Sequence, residues 1–159
     1  GFFVQGMSGI QFTRPDFLRL LQEEEAAATA MQIMATVEPI CTTLLTAEKN
    51  PLLYDGKIID ITRASGNHLL FVGLKPVAYL EQFGQEIWTT AQLRAEHIEA
   101  LIPFRKRWLQ LPDTFRPRKH LHIDHINDTP AAQHELATVF IKNGFEKDGE
   151  RLLLWPSGI

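Results

Sequence analysis

The chain has 159 residues, of which 45% are hydrophobic and 22% are charged, and its formal net charge is −3. This is the composition of a soluble globular protein, and the length suits one domain with a core of its own. The negative charge argues against a strongly basic nucleic-acid protein, although it is compatible with a local basic surface.

The single cysteine, Cys41, excludes an internal disulfide and indicates a reducing, cytoplasmic compartment. No apolar run reaches the roughly 18 residues of a membrane-spanning helix, so no membrane partner is expected. The first residues lack both an initiator methionine and the basic start of a signal peptide. These features suggest that the chain is a piece excised from a longer protein.

The first third of the chain predicts few long elements. Residues 1–12 read as strand and turn, and Pro15 opens a short helix with an apolar face. The segment 31–36 fits either the end of a helix or a strand, and Pro39 terminates it. A loop follows, with Asp55 and Gly56 as one of its turn markers.

Residues 67–90 are the best-defined stretch of the sequence. Apolar and polar residues alternate there, and two turn signals interrupt them, at Gly73 and at Phe83-Gly84-Gln85. We therefore predict three antiparallel strands at about 68–72, 76–82 and 85–89. Such a meander needs a packed layer over its apolar face, because a few strands alone are marginally stable in water.

The last third alternates helices and strands. Thr89 and Gln92 fit a capping box for a helix, within which Pro103 predicts a kink or a restart. Residues 119–126 read as a strand, and 127–130 as the cap of a second helix that ends at Asn143-Gly144. A final hairpin turns at Asp148-Gly149. The fold class predicted is α+β, with a mostly antiparallel, barrel-like sheet and two or three packed helices.

A cluster of histidines suggests a metal site. His120, His122, Asp124 and His125 form an HxHxDH string that resembles the metal-binding signature of the metallo-β-lactamase superfamily, and these residue types suit zinc. However, only His134 follows as a further histidine, and alternation along a strand would turn His125 away from the other three. The sequence therefore favours no metal ligands, and a zinc hydrolase remains the less favoured alternative.

Positive charge concentrates in one segment. Six basic residues and one acid, Asp113, lie between positions 105 and 119, with Trp108 and Phe115 among them. Cations interleaved with aromatic rings are what a phosphate backbone and stacked bases select. The candidate phosphate contacts are Arg105, Lys106, Arg107, Arg116, Arg118 and Lys119. The alternative is an ordinary solvated surface with Trp108 in the core.

Signatures of the common catalytic sites are missing. The chain contains neither a phosphate-binding GxxxxGK[ST] loop nor a GxGxxG motif. It also lacks the GxSxG turn that carries the nucleophilic serine of many hydrolases. We therefore expect no catalytic residues and no cofactor in this chain.

The order of motifs resembles the Lhr-type (large helicase-related) superfamily 2 DNA helicases, over almost the whole chain. GFFVQGMSGIQF resembles the junction after their winged-helix domain, and MQIMATVEP resembles a strand that ends in Ala-x-Asp-Pro, with Glu38 in place of Asp. ITRASGNHLLFVGLKPVAYLEQFGQEIWTT is similar to their Arg-x-x-Gly and hairpin. HLHIDHINDTPAAQHELATVFIKNGFEKDGERLLL is similar to their closing strand, helix and hairpin. Residues 22–60 depart most from the pattern.

The resemblance implies a non-catalytic, C-terminal accessory domain of an ATP-dependent 3′–5′ helicase of the kind associated with DNA repair. Residues 1–14 would be the tail of the preceding winged helix and 15–159 the accessory domain. ATP and Mg²⁺ would be bound by the parent's motor domains. The implied partners are those motor domains and single-stranded or tailed DNA, or an RNA–DNA hybrid. Arg63, in the family-like Arg-x-x-Gly, joins the candidate nucleic-acid contacts. The main alternative is a structural docking module without nucleic-acid contact.

Overall fold

The computed structural model describes residues 31–39, 41, 52–73, 75–91 and 93–156. The expected winged-helix tail and the helix at Pro15 lie outside these residues. The elements in chain order are β1 (Met31–Ala35), β2 (Leu53–Tyr54), β3 (Lys57–Ile58), β4 (His68–Val72), β5 (Lys75–Glu81), β6 (Glu86–Thr89), α1 (Ala95–Gln110), β7 (Leu121–Ile123), β8 (His125–Ile126), β9 (Thr129–Pro130), α2 (Ala137–Lys142), β10 (Glu146–Asp148) and β11 (Arg151–Leu154).

The meander β4–β5–β6 is the centre of the largest sheet. Its three strands pair antiparallel, and each begins or ends within about one residue of the predicted position. The alternation and the two turn signals are thus confirmed. Gly73 takes a positive φ of 61° at the first turn, and Gln82, Phe83 and Gly84 take positive φ angles at the second.

The sheet extends on both sides of the meander. The segment that the sequence left ambiguous is β1, which pairs antiparallel with β4. On the other side β8 runs parallel to β6 and β9 pairs with β8, so the strand order is β1-β4-β5-β6-β8-β9. The α+β class and the mostly antiparallel pairing are confirmed.

The sheet is open, which corrects the expectation of a barrel. In the described part of the chain, β1 and β9 are the outer strands and do not pair with each other. β8 and β9 contribute two residues each, whereas β1 has five. Strands this short offer too few backbone hydrogen bonds to continue the sheet round to β1.

Helix α1 covers one of the two apolar sides of the sheet. Its inward residues join the core made by Leu80 and Ile87 of the meander, and these residues are Ile98, Leu101, Ile102 and Leu109. A second, three-stranded sheet, β10-β11-β7, and α2 complete this core with Ile123, Phe140 and Leu152. On this side of the meander, the described residues form one long helix, one short helix and a small sheet.

Two predicted helix starts are wrong, for a shared reason. Thr89 ends β6, and α1 begins six residues later, where the Arg94 N–H donates to His97 Nδ1 at 3.0 Å. Asn127 does not cap a helix but makes the β8–β9 turn with a φ of 55°. Its side-chain amide forms two hydrogen bonds with Thr89. The amide oxygen accepts from the Thr89 N–H at 2.8 Å, and the amide nitrogen donates to Thr89 Oγ1 at 3.0 Å. Thr89 and Asn127, which are 38 positions apart in sequence, therefore bind each other and do not cap the helices predicted to follow them.

Pro103 neither ends nor restarts the helix. α1 continues as one helix of 16 residues with Pro103 inside it, on the exposed side. The predicted end of α2 is confirmed, since Asn143 is its C-cap and Gly144 follows with a φ of 97°. The closing hairpin is also confirmed as β10 and β11.

Candidate nucleic-acid interface

Arg105 is a core residue and does not belong to an exposed basic surface. Its side chain has no exposed area, although it lies in the most basic segment of the sequence. It projects from the face of α1 that packs on the sheet, beside Leu101 and Leu109. A phosphate outside the domain cannot reach it, so its expected phosphate contact is corrected.

Backbone carbonyls hold the Arg105 guanidinium in place. Nη2 donates to the carbonyl oxygens of Phe83 at 3.3 Å, Gly84 at 3.1 Å and His122 at 3.4 Å. The Phe145 ring lies 5.5 Å from the guanidinium carbon, at a distance typical of a cation–π contact. Burial lowers the pKa of Arg105 to about 9, so the side chain is still a cation at neutral pH. Arg105 therefore ties α1 to the β5–β6 turn and to β7.

Lys106 and Arg107 follow Arg105 on the outer side of α1. Arg107 is exposed and Lys106 is half-buried, and neither has a carboxylate partner among the described residues. Arg107 lies in the last turn of α1, where a cation also interacts favourably with the helix dipole. Both charges are available to solvent or to a ligand.

The loop after α1 carries the other three cations. The N–H groups of Phe115 and Arg116 both donate to the Pro112 carbonyl, at 2.8 and 2.9 Å, which closes the loop into a turn. Arg116 bonds back to the Leu111 carbonyl and pairs with Asp113 at 3.0 Å. The loop therefore has a definite shape, fixed by its own donors and acceptors.

Arg118 and Lys119, at the end of the loop, differ in their contacts. Arg118 Nη2 donates to Gln85 Oε1 at 3.0 Å, and its guanidinium carbon lies 5.9 Å from the Phe83 ring centre. Lys119 is exposed, with no ion-pair partner in the described part of the chain. Gln85 is neutral, so the charge of Arg118 is oriented but not compensated.

A surface depression lies between these side chains. It has a volume of about 300 Å³ and is lined by Asp113, Arg116, Arg118 and Lys119. Three cations and one carboxylate give its walls a formal charge of +2. The six basic residues singled out in the sequence thus divide into one buried arginine, two cations on α1 and three cations around this depression.

The two aromatic residues of the segment also separate. Trp108 is half-buried, and its ring packs against Phe83, Phe104 and His68 at centroid distances of 5.1–5.3 Å. Phe115 is 75% exposed, directly before Arg116. Of these two rings, Phe115 is the exposed one and Trp108 packs against the core, which is the alternative that the sequence left open for it.

Arg63 lies apart from the loop after α1. It is exposed, in the segment between β3 and β4, and its Nη2 donates to the Val37 carbonyl at 2.9 Å. Within the described residues, no contact joins Arg63 to the basic loop. Its assignment as a nucleic-acid contact stays a prediction.

The side chains of the HxHxDH string have different partners in the structure. His122 lies between the Gln85 amide nitrogen, which donates to Nε2, and Asp124, at 3.6 Å. Burial lowers the pKa of His122, which favours the neutral ring that can accept this bond. His125 is separate, paired with Glu86 at 3.2 Å, as alternation predicted. Among the described residues, no three His, Cys, Asp or Glu side chains converge as metal ligands would.

The residues that sequence reasoning missed are Phe83 and Gln85. They were recognised only as part of a turn, yet Gln85 orients Arg118 and contacts His122, and Phe83 lies against Arg118 and Trp108. The only sequence signal was their place beside Gly84. A position in a turn gives no indication of which distant loop the turn will meet.

Neither helix in the described part of the chain has the length and apolar character needed to cross a bilayer. No family model, curated protein or solved structure matches the chain. The likeness to Lhr-type helicases therefore rests on the order of the sequence motifs alone.

Proposed function

We propose that this chain is a non-catalytic accessory domain of an Lhr-type ATP-dependent helicase, and that it helps to hold single-stranded nucleic acid against the motor domains. The proposed partners are single-stranded or tailed DNA, or an RNA–DNA hybrid, in the cytoplasm. ATP and Mg²⁺ belong to the parent's motor. The proposal combines the order of the motifs with the exposed cations described above.

One observation carries the proposal. Lys106, Arg107, Arg118 and Lys119 have no carboxylate partner among the described residues, in a chain whose total charge is −3. Lys106 and Arg107 are adjacent in the chain, as are Arg118 and Lys119, and neighbouring uncompensated cations repel each other unless an anion is bound. Phosphate groups pair with Arg and Lys through charge-assisted hydrogen bonds, and Phe115 adds a ring on which a base can stack.

The test is binding of the full 159-residue chain to a fluorescent single-stranded oligonucleotide over a salt series. Six candidate cations remain after Arg105 is removed from the set, five in the basic segment and Arg63, so the logarithm of affinity should fall with the logarithm of salt concentration at a slope no steeper than about −4.2. The double variant Arg107→Gln/Lys119→Gln should bind more weakly and with a slope shallower by about 1.4.

The matched control is Lys142→Gln/Lys147→Gln. It removes the same charge from exposed positions on α2 and β10, outside the basic segment. The control should leave the slope and affinity near those of the unchanged chain. Equal losses in both double variants would mean that only net charge matters, and the absence of binding at low salt by a folded chain would contradict the proposal.

The docking module is the second candidate, favoured by a different observation. Arg105, Arg116 and Arg118 each donate to groups inside the domain, which is what structural arginines do. If the chain fails to bind every oligonucleotide but associates with the parent's motor domains, and loss of Arg107 and Lys119 leaves that association intact, the docking role is supported.

A further inference from the structure

The depression beside α1 has the charge and shape of a site for one dianionic group. Its walls hold Arg116, Arg118, Lys119 and one acid, Asp113, with a formal charge of +2. A phosphodiester inside a strand carries a single negative charge. A phosphate monoester carries about −1.5 to −2 at pH 7. The monoester is therefore the better electrostatic match.

The cations of the depression are held before any ligand arrives. Arg118 is fixed by Gln85 and by the Phe83 ring, and Arg116 by Leu111 and Asp113. Side chains that are already ordered lose less entropy on binding, and the arginine fork suits the oxygens of a phosphate. Lys119, which is exposed, supplies the third cation.

The shape favours the end of a strand over its middle. A volume of about 300 Å³ lies at the low end of the range for ligand pockets, so it can take a phosphate with part of a sugar. A phosphate within a strand carries sugars on both sides, and both would have to leave the depression. Phe115, 75% exposed and directly before Arg116, is placed to stack with the terminal base.

We infer that the depression lined by Arg116, Arg118 and Lys119 binds the terminal phosphate monoester of a nucleic-acid strand, with Phe115 against the end base. This inference rests on the proposed function and narrows it from phosphate contact in general to recognition of a phosphorylated strand end. The carboxylate of Asp113 lowers the formal charge of the site from +3 to +2, which balances the charge of one phosphate monoester.

The test compares single strands of one sequence that carry a 5′-phosphate, a 3′-phosphate or hydroxyl groups at both ends, with the fluorophore on the opposite end or within the strand. The full chain should bind one phosphorylated strand at least about fivefold more tightly than the hydroxyl strand, because a charge-assisted hydrogen bond contributes on the order of 1 kcal/mol or more. Arg118→Gln and, separately, Lys119→Gln should reduce this ratio towards one.

Lys119→Gln keeps the test decisive even if Arg118→Gln disturbs the fold, since Lys119 is exposed and makes no described contact. Lys142→Gln is the matched control and should leave the ratio unchanged. Equal affinity for phosphorylated and hydroxyl strands would overturn the inference while leaving the proposed function standing. No binding to any strand would overturn both, and equally tight binding of a phosphoserine peptide would overturn recognition of a nucleic-acid end.

Discussion

The contact between Gly84 and Arg105 shows how a single backbone position constrains the buried arginine. Gly84 has a φ of 80°, and a Cβ built there would lie 3.0 Å from the guanidinium carbon of Arg105. Arg105 cannot move aside easily, because it is fully buried and donates to the Gly84 carbonyl itself. Glycine is therefore required at this turn both for its backbone conformation and for the space that it leaves.

We predict that Gly84→Ala destabilises the domain more than Gly149→Ala does. Both residues have positive φ angles, at which alanine costs about 1–2 kcal/mol, but a Cβ on Gly149 would meet nothing within 4 Å. Overpacking against Arg105 should add about 1–3 kcal/mol at Gly84. Urea denaturation of the two variants measures the difference, and equal free energies of unfolding would show that Arg105 yields to the new methyl group.

The burial of Arg105 could not be predicted from the sequence. Composition located the basic segment, in which Arg107 and Lys119 are exposed and Lys106 is half-buried. It could not separate Arg105 from its neighbours, because an arginine on the inner face of a helix is normally excluded by its charge. The carbonyls that accept from Arg105 lie 17 to 22 positions away, and no local pattern indicates them.

Among the elements, α1 contains its own weak point. Pro103 lies in the middle of a helix of 16 residues, where it cannot donate a hydrogen bond to the carbonyl four residues earlier. The helix survives because residues on both sides of Pro103 are buried in the core, including Ile102 and Leu109. Packing against the sheet offsets the local cost of the proline.

We predict that Pro103→Ala stabilises the domain by about 1–2 kcal/mol. A proline inside a helix costs about 3 kcal/mol relative to alanine. Part of this difference is offset because alanine gives the unfolded chain more conformational entropy than proline does. Pro103 is exposed, so the substitution leaves no cavity in the core. Thermal and urea denaturation measure the gain, with Ala100→Gly in the same helix as a control that should lose about 1 kcal/mol. A loss of stability in Pro103→Ala would mean that the proline ring makes a packing contribution.

The elements differ in how far sequence predicts them. The meander was predicted almost to the residue, since alternation and turn glycines are local signals. Both helix starts were wrong because Thr89 and Asn127, each a good cap residue, bind each other across the sheet. Cap preferences describe a residue whose side chain is free to meet its own backbone, and a tertiary partner removes that freedom.

For the whole molecule, the class of fold was predictable but its closure was not. Periodicity indicates strands and helices, yet whether a sheet closes depends on the number, length and tilt of its strands. The parallel pair β6–β8 and the short β9 leave the described sheet open. The open form places α1 across one face, and this brings the loop after α1 beside the β5–β6 turn through Arg118 and Gln85.

Three partly buried histidines make the global unfolding of the domain depend on pH. Burial lowers the pKa of His68, His122 and His134 in the folded state. In the unfolded chain their pKa returns to about 6.5, so below that pH the unfolded state binds more protons than the folded state. The free energy of unfolding should therefore fall as the pH drops from 7 to 5, by at most about 1.4 kcal/mol per pH unit for each histidine.

His68 offers the clearest test, because its ring packs against Phe104 and Trp108 at 5.1 and 5.3 Å and has an apolar replacement of similar shape. The free energy of unfolding of His68→Phe should fall less steeply between about pH 6.5 and 5 than that of the unchanged chain. Urea denaturation at several pH values measures both. Phe104→Leu, in the same aromatic cluster, should lose stability by a similar amount at every pH and keep the original slope. If His68→Phe keeps that slope as well, the pKa of His68 is the same in the folded and unfolded chain, and other residues take up the protons that destabilise the domain in acid.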